Sequence, residues 1–279
     1  MPETTEEKFT KLKQILKELD SVVVAYSGGV DSSFLLNLAV DTLGADEVLA
    51  CMSVGPSEPK NMLEKAVEFA GSIGVEFQTV DADELTDPKF TVNKADRCFH
   101  CKSHLCKTLL DIAVERDFKH VVFGVNFDDL DDFRPGNRAM KVFGIRSPLA
   151  EARLSKDEIR RLSRQMGLPT ADQPASPCLA SRIVYGLEVT EQRLRQIDEA
   201  ENFLRELGLV EFRVRHHDTV ARIEVNPEDI DKVTAEPARS RIVEKLKSLG
   251  FKFVTVDLQG FRSGALNEAL SEQQKRLNI

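Results

Sequence analysis

At 279 residues, with 42% hydrophobic and 30% charged side chains, the chain is long enough for one large domain or two ordinary ones, and no run approaches the roughly 18 to 20 apolar residues of a membrane span. Its formal net charge of -8 argues against broad nucleic-acid binding, which depends on neutralising phosphates. The acidic, amphipathic start MPETTEEKFTKLKQ lacks the basic-then-apolar order of a secretory signal, so a cytoplasmic protein is expected, whose five cysteines read as metal ligands, nucleophiles or core residues rather than a disulfide framework.

In chain order, Phe9, Leu12, Ile15, Leu16 and Leu19 fall on one helical face. VVVAY (Val22 to Tyr26) then has the length and branching of a buried strand, and SGGVDSSFLLNLAVDTLG is a glycine turn into a helix that stops near Gly44. VLACMS (Val48 to Ser53), VEFQTV (Val75 to Val80) and HVVFGV (His120 to Val125) are three further strands, separated by helical patterns at about Glu58 to Ser72 and Phe99 to Glu115. This alternation predicts an α/β fold with a parallel sheet covered by helices on both faces. Ser155 and Glu158 form a capping box for another helix. After the proline-rich LPTADQPASPCLASR the grammar changes. Thr190 caps a helix to about Leu207, VEFRVRHH and TVARIEV pair as strands, Asn226-Pro227 opens a helix, and a last helix ends at Gly250 and feeds the strand FKFVTVDLQ. A smaller α+β unit is therefore expected at 176–279, after a first domain at 1–175, with the boundary between about Gly167 and Thr190.

The strongest chemical signal is SGGVDSS, Ser27 to Ser33, placed between a buried strand and a helix. Two glycines allow close backbone approach, and the free N–H groups of a new helix attract an anion. No Gly-Lys-Ser/Thr follows, which excludes the Walker motif, and the glycine spacing is not that of the dinucleotide fingerprint. A carboxylate at Asp31 would repel a pyrophosphate unless Mg²⁺ lay between them.

These residues resemble a known superfamily. AYSGGVDS is similar to the pyrophosphate-loop (PP-loop) motif of ATP pyrophosphatases, the adenine nucleotide alpha hydrolase-like fold of GMP synthetase, NAD synthetase and several tRNA-thiolating enzymes, whose members transfer AMP to a substrate oxygen and release pyrophosphate. CFHCK (Cys98 to Lys102), DDFRPG (Asp131 to Gly136), SPCLASR (Ser176 to Arg182), RVRHHDTVARIE (Arg213 to Glu224) and GFRSG (Gly260 to Gly264) narrow the resemblance to the LarE family of ATP-dependent sulfur transferases. That resemblance implies a substrate, pyridinium-3,5-biscarboxylate mononucleotide, a role in nickel-pincer cofactor synthesis, ATP with Mg²⁺, and a homo-oligomer, with hexamers as one form. The nucleotide set is read as Ser27, Gly28, Gly29, Asp31, Ser32, Ser33, Ser53 and Gly124.

The family offers two sulfur sources: a cysteine that gives up its own sulfur, or a [4Fe-4S] cluster held by three cysteines. Cys98 and Cys101 as a CxxC pair, with Cys178, match the second, since three thiolates leave one iron of four open. Two other readings of CFHCKSHLC stay open: zinc on Cys98, His100, Cys101 and His104, and plain reduced thiols. Cys106, on the helix, and Cys51, inside a strand, are expected to pack in the core.

Strand periodicity places Arg213, Arg215 and His217 on one face and Phe212, Val214 and His216 on the other. Guanidinium pairs suit the phosphate and carboxylates of a small nucleotide, although a solvated strand face would show the same spacing. The resemblance nominates Arg182 and Arg262 as well, and the acidic loop places Asp132 and Arg134 where ATP or solvent could lie. Two other classes remain: a tRNA-thiolating enzyme, opposed by the acidic balance, and a nucleotide-binding adaptor without pyrophosphate release.

Overall fold

Four short apolar runs make the central sheet. β1 (Val22–Ala25), β2 (Val48–Val54), β3 (Glu76–Asp81) and β4 (His120–Phe123) lie in the order β3-β2-β1-β4 with every pairing parallel, Val22 sitting between Val48 and His120. The computed structural model describes residues 3–130, 135–174, 177–262 and 264–277. The helices of this half are α1 (Thr5–Leu19), α2 (Val30–Leu43), α3 (Lys60–Ser72), α4 (Pro88–Thr91), α5 (Arg97–Glu115), α6 (Pro135–Val142), α7 (Pro148–Glu151) and α8 (Lys156–Gln165).

The period-two geometry of the strands divides their side chains between two apolar layers. Val22, Val24, Val48, Ala50 and Met52 pack against α1, α2, α3 and α8. Val23, Leu49, Cys51, Val121 and Phe123 face the other way, against Cys106, Leu109, Ile112 and Ala113 of α5 and Met140 of α6. Cys51 and Cys106 are thus core residues, as their positions in strand and helix predict. Burial pushes the Cys51 thiol up to about 12 and the Cys106 thiol up to about 11.

Two capping boxes fix helices on one face. Thr4 and Glu7 cap α1, and Ser155 and Glu158 cap α8. Glu158 does more than cap: its carboxylate accepts from Lys8 Nζ at 2.9 Å and from Thr5 Oγ1 at 2.8 Å, so it staples α8 to α1. Burial alone would raise its pKa, but the Ser155 backbone N–H, Lys8, Thr5 and the Ser155 hydroxyl outweigh it and hold the carboxyl at about 2.

The second sheet is β5-β6-β7, with β5 (Phe212–His217) antiparallel to β6 (Val220–Val225) and β6 parallel to β7 (Phe253–Val256). α9 (Glu191–Glu206), α10 (Ile230–Thr234) and α11 (Ala238–Ser248) accompany it. Its core joins Ala200 and Leu204 of α9 and Ile242 and Leu246 of α11 to Phe212, Val214, Ala221, Ile223 and Val225. Asn226-Pro227 opens only a 3-10 turn (Pro227–Asp229) before the five-residue α10. The chain also does not end its helices at Gly250, because α12 (Glu272–Leu277) follows. A further apolar cluster gathers Phe90 of α4 with Leu179, Ala180, Ile183, Val189, Leu194 and Ile197, and Cys101 and Cys178 pack against it. It ties the start of the second sheet's half to the first.

The depressed Glu158 carboxyl stabilises the fold above its unfolded pKa, near 4, and that contribution is lost as pH falls toward 2. Glu158→Gln is expected to cost about 2 kcal/mol at pH 7, with the gap to wild type closing between about pH 4 and pH 2; urea unfolding across that range checks it.

Candidate active site

In an open parallel sheet, ligands sit beyond the carboxyl ends of the strands, where the chain reverses its direction of growth. Here that point lies between β1 and β4, because β2 and β3 grow outward on one side of β1 and β4 returns on the other. The loop after β1 is Tyr26 to Gly29, and Gly28 holds a left-handed φ of 71° with Met62 Cε 3.3 Å from where a Cβ would stand. Gly29 then caps α2 with extended backbone. Ser27 Oγ and Ser32 Oγ are 3.1 Å apart, and Ser32 Oγ also accepts from the Ser27 N–H at 3.2 Å and reaches the Gly29 carbonyl at 3.1 Å. This closes the loop over the first turn of α2, whose leading N–H groups have no intrahelical acceptor and can bind an anion.

The loop after β4 packs onto that turn. A Cβ at Gly124 would stand 2.9 Å from the Ser32 nitrogen, so only glycine admits this approach. Gly124 therefore supports the loop from behind. Asp31, in the first turn of α2, is held by Lys156 Nζ at 2.6 Å, while its Oδ1 is buried without a partner. Lys156 begins α8, and its own N–H donates to Asp128 at 2.8 Å. A buried carboxylate oxygen lacking a donor is a fit for a cation such as Mg²⁺. Ser53 lies near the end of β2, half-buried, in register with Val80.

Three cysteines come near one another at the start of α5 and before the 3-10 turn that follows Cys178. Cys98 and Cys101 occupy the first turns of α5, and Cys178 precedes the 3-10 turn Leu179–Arg182. Cys178 feels Cys98 electrostatically, and Cys101 feels both of the others. Burial pushes the Cys101 thiol up to about 12 and also raises Cys178. Lys102 and Arg97 oppose these shifts at Cys101 and Cys178 respectively. Glu58 is raised as well, by burial first, with Lys102 opposing and Glu84 adding to it. Among the described residues, no group of three or more His, Cys, Asp or Glu side chains is arranged to hold one metal ion. His100 pairs with Asp96 at 3.2 Å instead.

The arginines are more enclosed than strand periodicity suggests. Arg182 is 1% exposed, and its Nε and Nη2 each donate at 2.9 Å to the Glu201 carboxylate of α9. Its Nη1 donates to the carbonyls of Pro177 and Cys178 and to Ser181 Oγ. The expected substrate ligand is thus committed to bracing the Cys178 segment. Arg215, also buried, donates to Glu224 at 2.7 and 2.8 Å and to the Ser181 carbonyl at 3.2 Å. Neither face of β5 is solvated. Arg213 lies against the Phe261 ring at 4.9 Å and donates to the Phe212 carbonyl at 2.5 Å. Burial, with Arg182 and Arg215 nearby, lowers its pKa to about 10, a cationic strain that an added anion would relieve. Arg262 pairs with Glu268 and keeps a buried, unpartnered Nε. Asp132, Arg134, Ser176 and Ser263 lie outside the described residues.

The NAD synthase family profile matches residues 5–99. The chain is 36% identical over 267 residues to pyridinium-3,5-bisthiocarboxylic acid mononucleotide synthase of Lactiplantibacillus plantarum, covering 96% of each protein. The chain belongs to the LarE family. It is also 43% identical over 267 residues to an uncharacterized protein of Synechocystis, covering 96% of this chain and 99% of that one. A glutamine-dependent NAD(+) synthetase of Aquifex aeolicus matches at 29% over 120 residues, 41% of this chain and 20% of that protein. The NAD synthase match stops inside the first turn of α5. Cys101, Cys178 and the arginines of this LarE-family chain lie beyond that profile match.

Sequence reasoning missed four residues of this LarE-family site. Lys156 reaches Asp31 from the neighbouring helix α8, Glu201 and Glu224 hold the arginines, and Arg97 joins α5 to the Cys178 segment. Only for Glu224 was a signal available, since it stands opposite Arg213 in a predictable hairpin register. Gly124→Ala is expected to lower stability by about 1 to 3 kcal/mol because its Cβ has nowhere to go. Gly29→Ala, with a Cβ 3.5 Å from its nearest neighbour, should cost less than about 1 kcal/mol. Thermal unfolding of both variants distinguishes them.

Proposed function

We propose that this protein converts a carboxylate of pyridinium-3,5-biscarboxylate mononucleotide to a thiocarboxylate at the expense of ATP. The near full-length relation to the Lactiplantibacillus synthase carries this reading. In the first half-reaction a carboxylate oxygen attacks the α-phosphorus of ATP, the bond to the β-phosphate bridge breaks, and pyrophosphate leaves with Mg²⁺. In the second, a sulfur nucleophile attacks the acyl carbon, AMP departs with the former carboxylate oxygen, and the thiocarboxylate remains. Adenylation is needed because a carboxylate is a poor electrophile and a poor source of a leaving group.

The chain's own groups suit these tasks. The N–H groups at the start of α2, with the hydroxyls of Ser27 and Ser32, hold the pyrophosphate, and Ser53 borders the nucleotide, while Ser33, fully buried with its hydroxyl donating to Tyr26 Oη, and Gly124, packed behind the turn, keep the loop in shape. Asp31 would hold magnesium, having one carboxylate oxygen buried without a partner, and Lys156, 2.6 Å from the other, balances its charge. Arg262, with its unpartnered Nε, and Arg213, whose buried cation an anion would relieve, offer positive charge for the mononucleotide's phosphate and second carboxylate, while Arg215 is spent on Glu224 and the Ser181 carbonyl. Arg182 orients Cys178 from behind. Cys98, Cys101 and Cys178 would hold a [4Fe-4S] cluster, which supplies an open iron able to present sulfide. The small anionic substrate and the net charge of -8 favour this over a nucleic-acid substrate. No helix among the described residues is long and apolar enough to cross a membrane.

Wild-type protein with Mg-ATP should release pyrophosphate only when the pyridinium biscarboxylate mononucleotide is present, and Asp31→Ala should slow that release by at least about a hundredfold. Release without the mononucleotide, or at wild-type rate in the variant, overturns the assignment. Anaerobically purified protein is expected to contain about four irons per chain, with alanine at Cys98, Cys101 or Cys178 removing them while leaving pyrophosphate release in place. A wild-type chain that loses the mass of one hydrogen sulfide after turnover would instead make Cys178 the sacrificial donor.

A further inference from the structure

Arg97 takes no part in either half-reaction, yet it is only 4% exposed and sits beside Cys98 at the start of α5. Its Nη1 donates to Asn93 Oδ1 and, at 2.9 Å, to the Ala180 carbonyl. Its guanidinium lies 5.9 Å from the centre of the Tyr185 ring, and its Nε is buried with no hydrogen-bond partner. Asn93 extends the joint. Fully buried, with a left-handed φ of 57°, it donates from Nδ2 to the Val184 carbonyl at 2.9 Å and the Leu187 carbonyl at 2.8 Å, and its own carbonyl accepts from the Gly186 N–H at 3.0 Å. One guanidinium and one carboxamide therefore fasten the start of α5 to residues 180–187. Two cysteines ride on one side of this joint and the third on the other.

The energetics make the position informative. A buried guanidinium is costly unless charge or several hydrogen bonds compensate it, and no described carboxylate pairs with Arg97. A guanidinium without a carboxylate partner, held by the Asn93 and Ala180 oxygens between cysteines from distant parts of the chain, serves to join the two segments.

We infer that Arg97 is the positioning residue of the three-cysteine site, tying the helix that bears Cys98 and Cys101 to the segment that bears Cys178 and keeping a permanent positive charge among their sulfurs. The inference rests on the reading of these cysteines as one ligand set, and its test needs no iron. The metal-free full-length chain is oxidised mildly with a diazenedicarboxamide under argon, and disulfides are mapped by proteolysis and mass spectrometry. The ratio of Cys178-containing disulfides to the Cys98–Cys101 disulfide within α5 reports how well the two segments are held together. Arg97→Met should lower this ratio at least tenfold, and Arg97→Lys, which keeps a charge and one donor, should recover part of it. A wild-type ratio in Arg97→Met overturns the inference. Should Arg97→Met not fold, Arg97→Lys decides alone: a ratio lowered threefold or more supports the role, and an unchanged ratio removes it. Iron uptake is read separately. A ratio that falls as expected in a chain that takes up no iron leaves Arg97 in place and removes the cluster, whereas iron uptake with an unmoved ratio does the reverse.

Discussion

Parallel pairing is the constraint on which the rest of the site depends. Because β1 to β4 all run the same way, every loop that leaves a strand leaves it at one edge. The Tyr26–Gly29 turn follows β1, Ser57 and Glu58 follow β2, Glu84 follows β3, and Gly124 and Asn126 follow β4. Residues scattered over a hundred positions of chain thus converge without any of them being close in sequence. The Leu179 N–H donates to the Ser57 carbonyl at 2.7 Å, so the Cys178 segment is drawn to the same edge.

A second layer of order comes from buried charge. Arg182 with Glu201, and Arg215 with Glu224, are withdrawn almost entirely from water. Such pairs add little net stability compared with apolar side chains of the same shape, but breaking one leaves an uncompensated ion and costs several kcal/mol. Their value here is geometric. The Arg182 guanidinium reaches the carbonyls of Pro177 and Cys178, and Arg215 reaches that of Ser181. The second sheet therefore fixes the backbone around a cysteine whose partners belong to the first half.

The sequence made some of this legible and hid the rest for physical reasons. Strand alternation and the glycine turn are local signals, and the four parallel strands and the loop before α2 follow from them. The two-residue period sorted β5 into arginine and apolar faces, but it could not say that the arginine face is covered, because Phe261 and Ser181, which lie against Arg213 and Arg215, come from distant parts of the chain. Lys156 and Asp31 are brought together by tertiary packing alone, with no pattern in either neighbourhood to announce it. Arg97 looks like an ordinary charged residue at a helix start until the Ala180 carbonyl is seen against it.

The two core cysteines carry a quieter consequence. Cys51 and Cys106 are shut inside the apolar layer beneath α5 and closed to solvent, whereas Cys98, Cys101 and Cys178 are only half-buried, so a reagent reaches the second set first. Their silence supplies an internal standard: while the native packing persists, alkylating reagents should find Cys98, Cys101 and Cys178 alone, and the first labelling of Cys51 would announce that the sheet itself has begun to open.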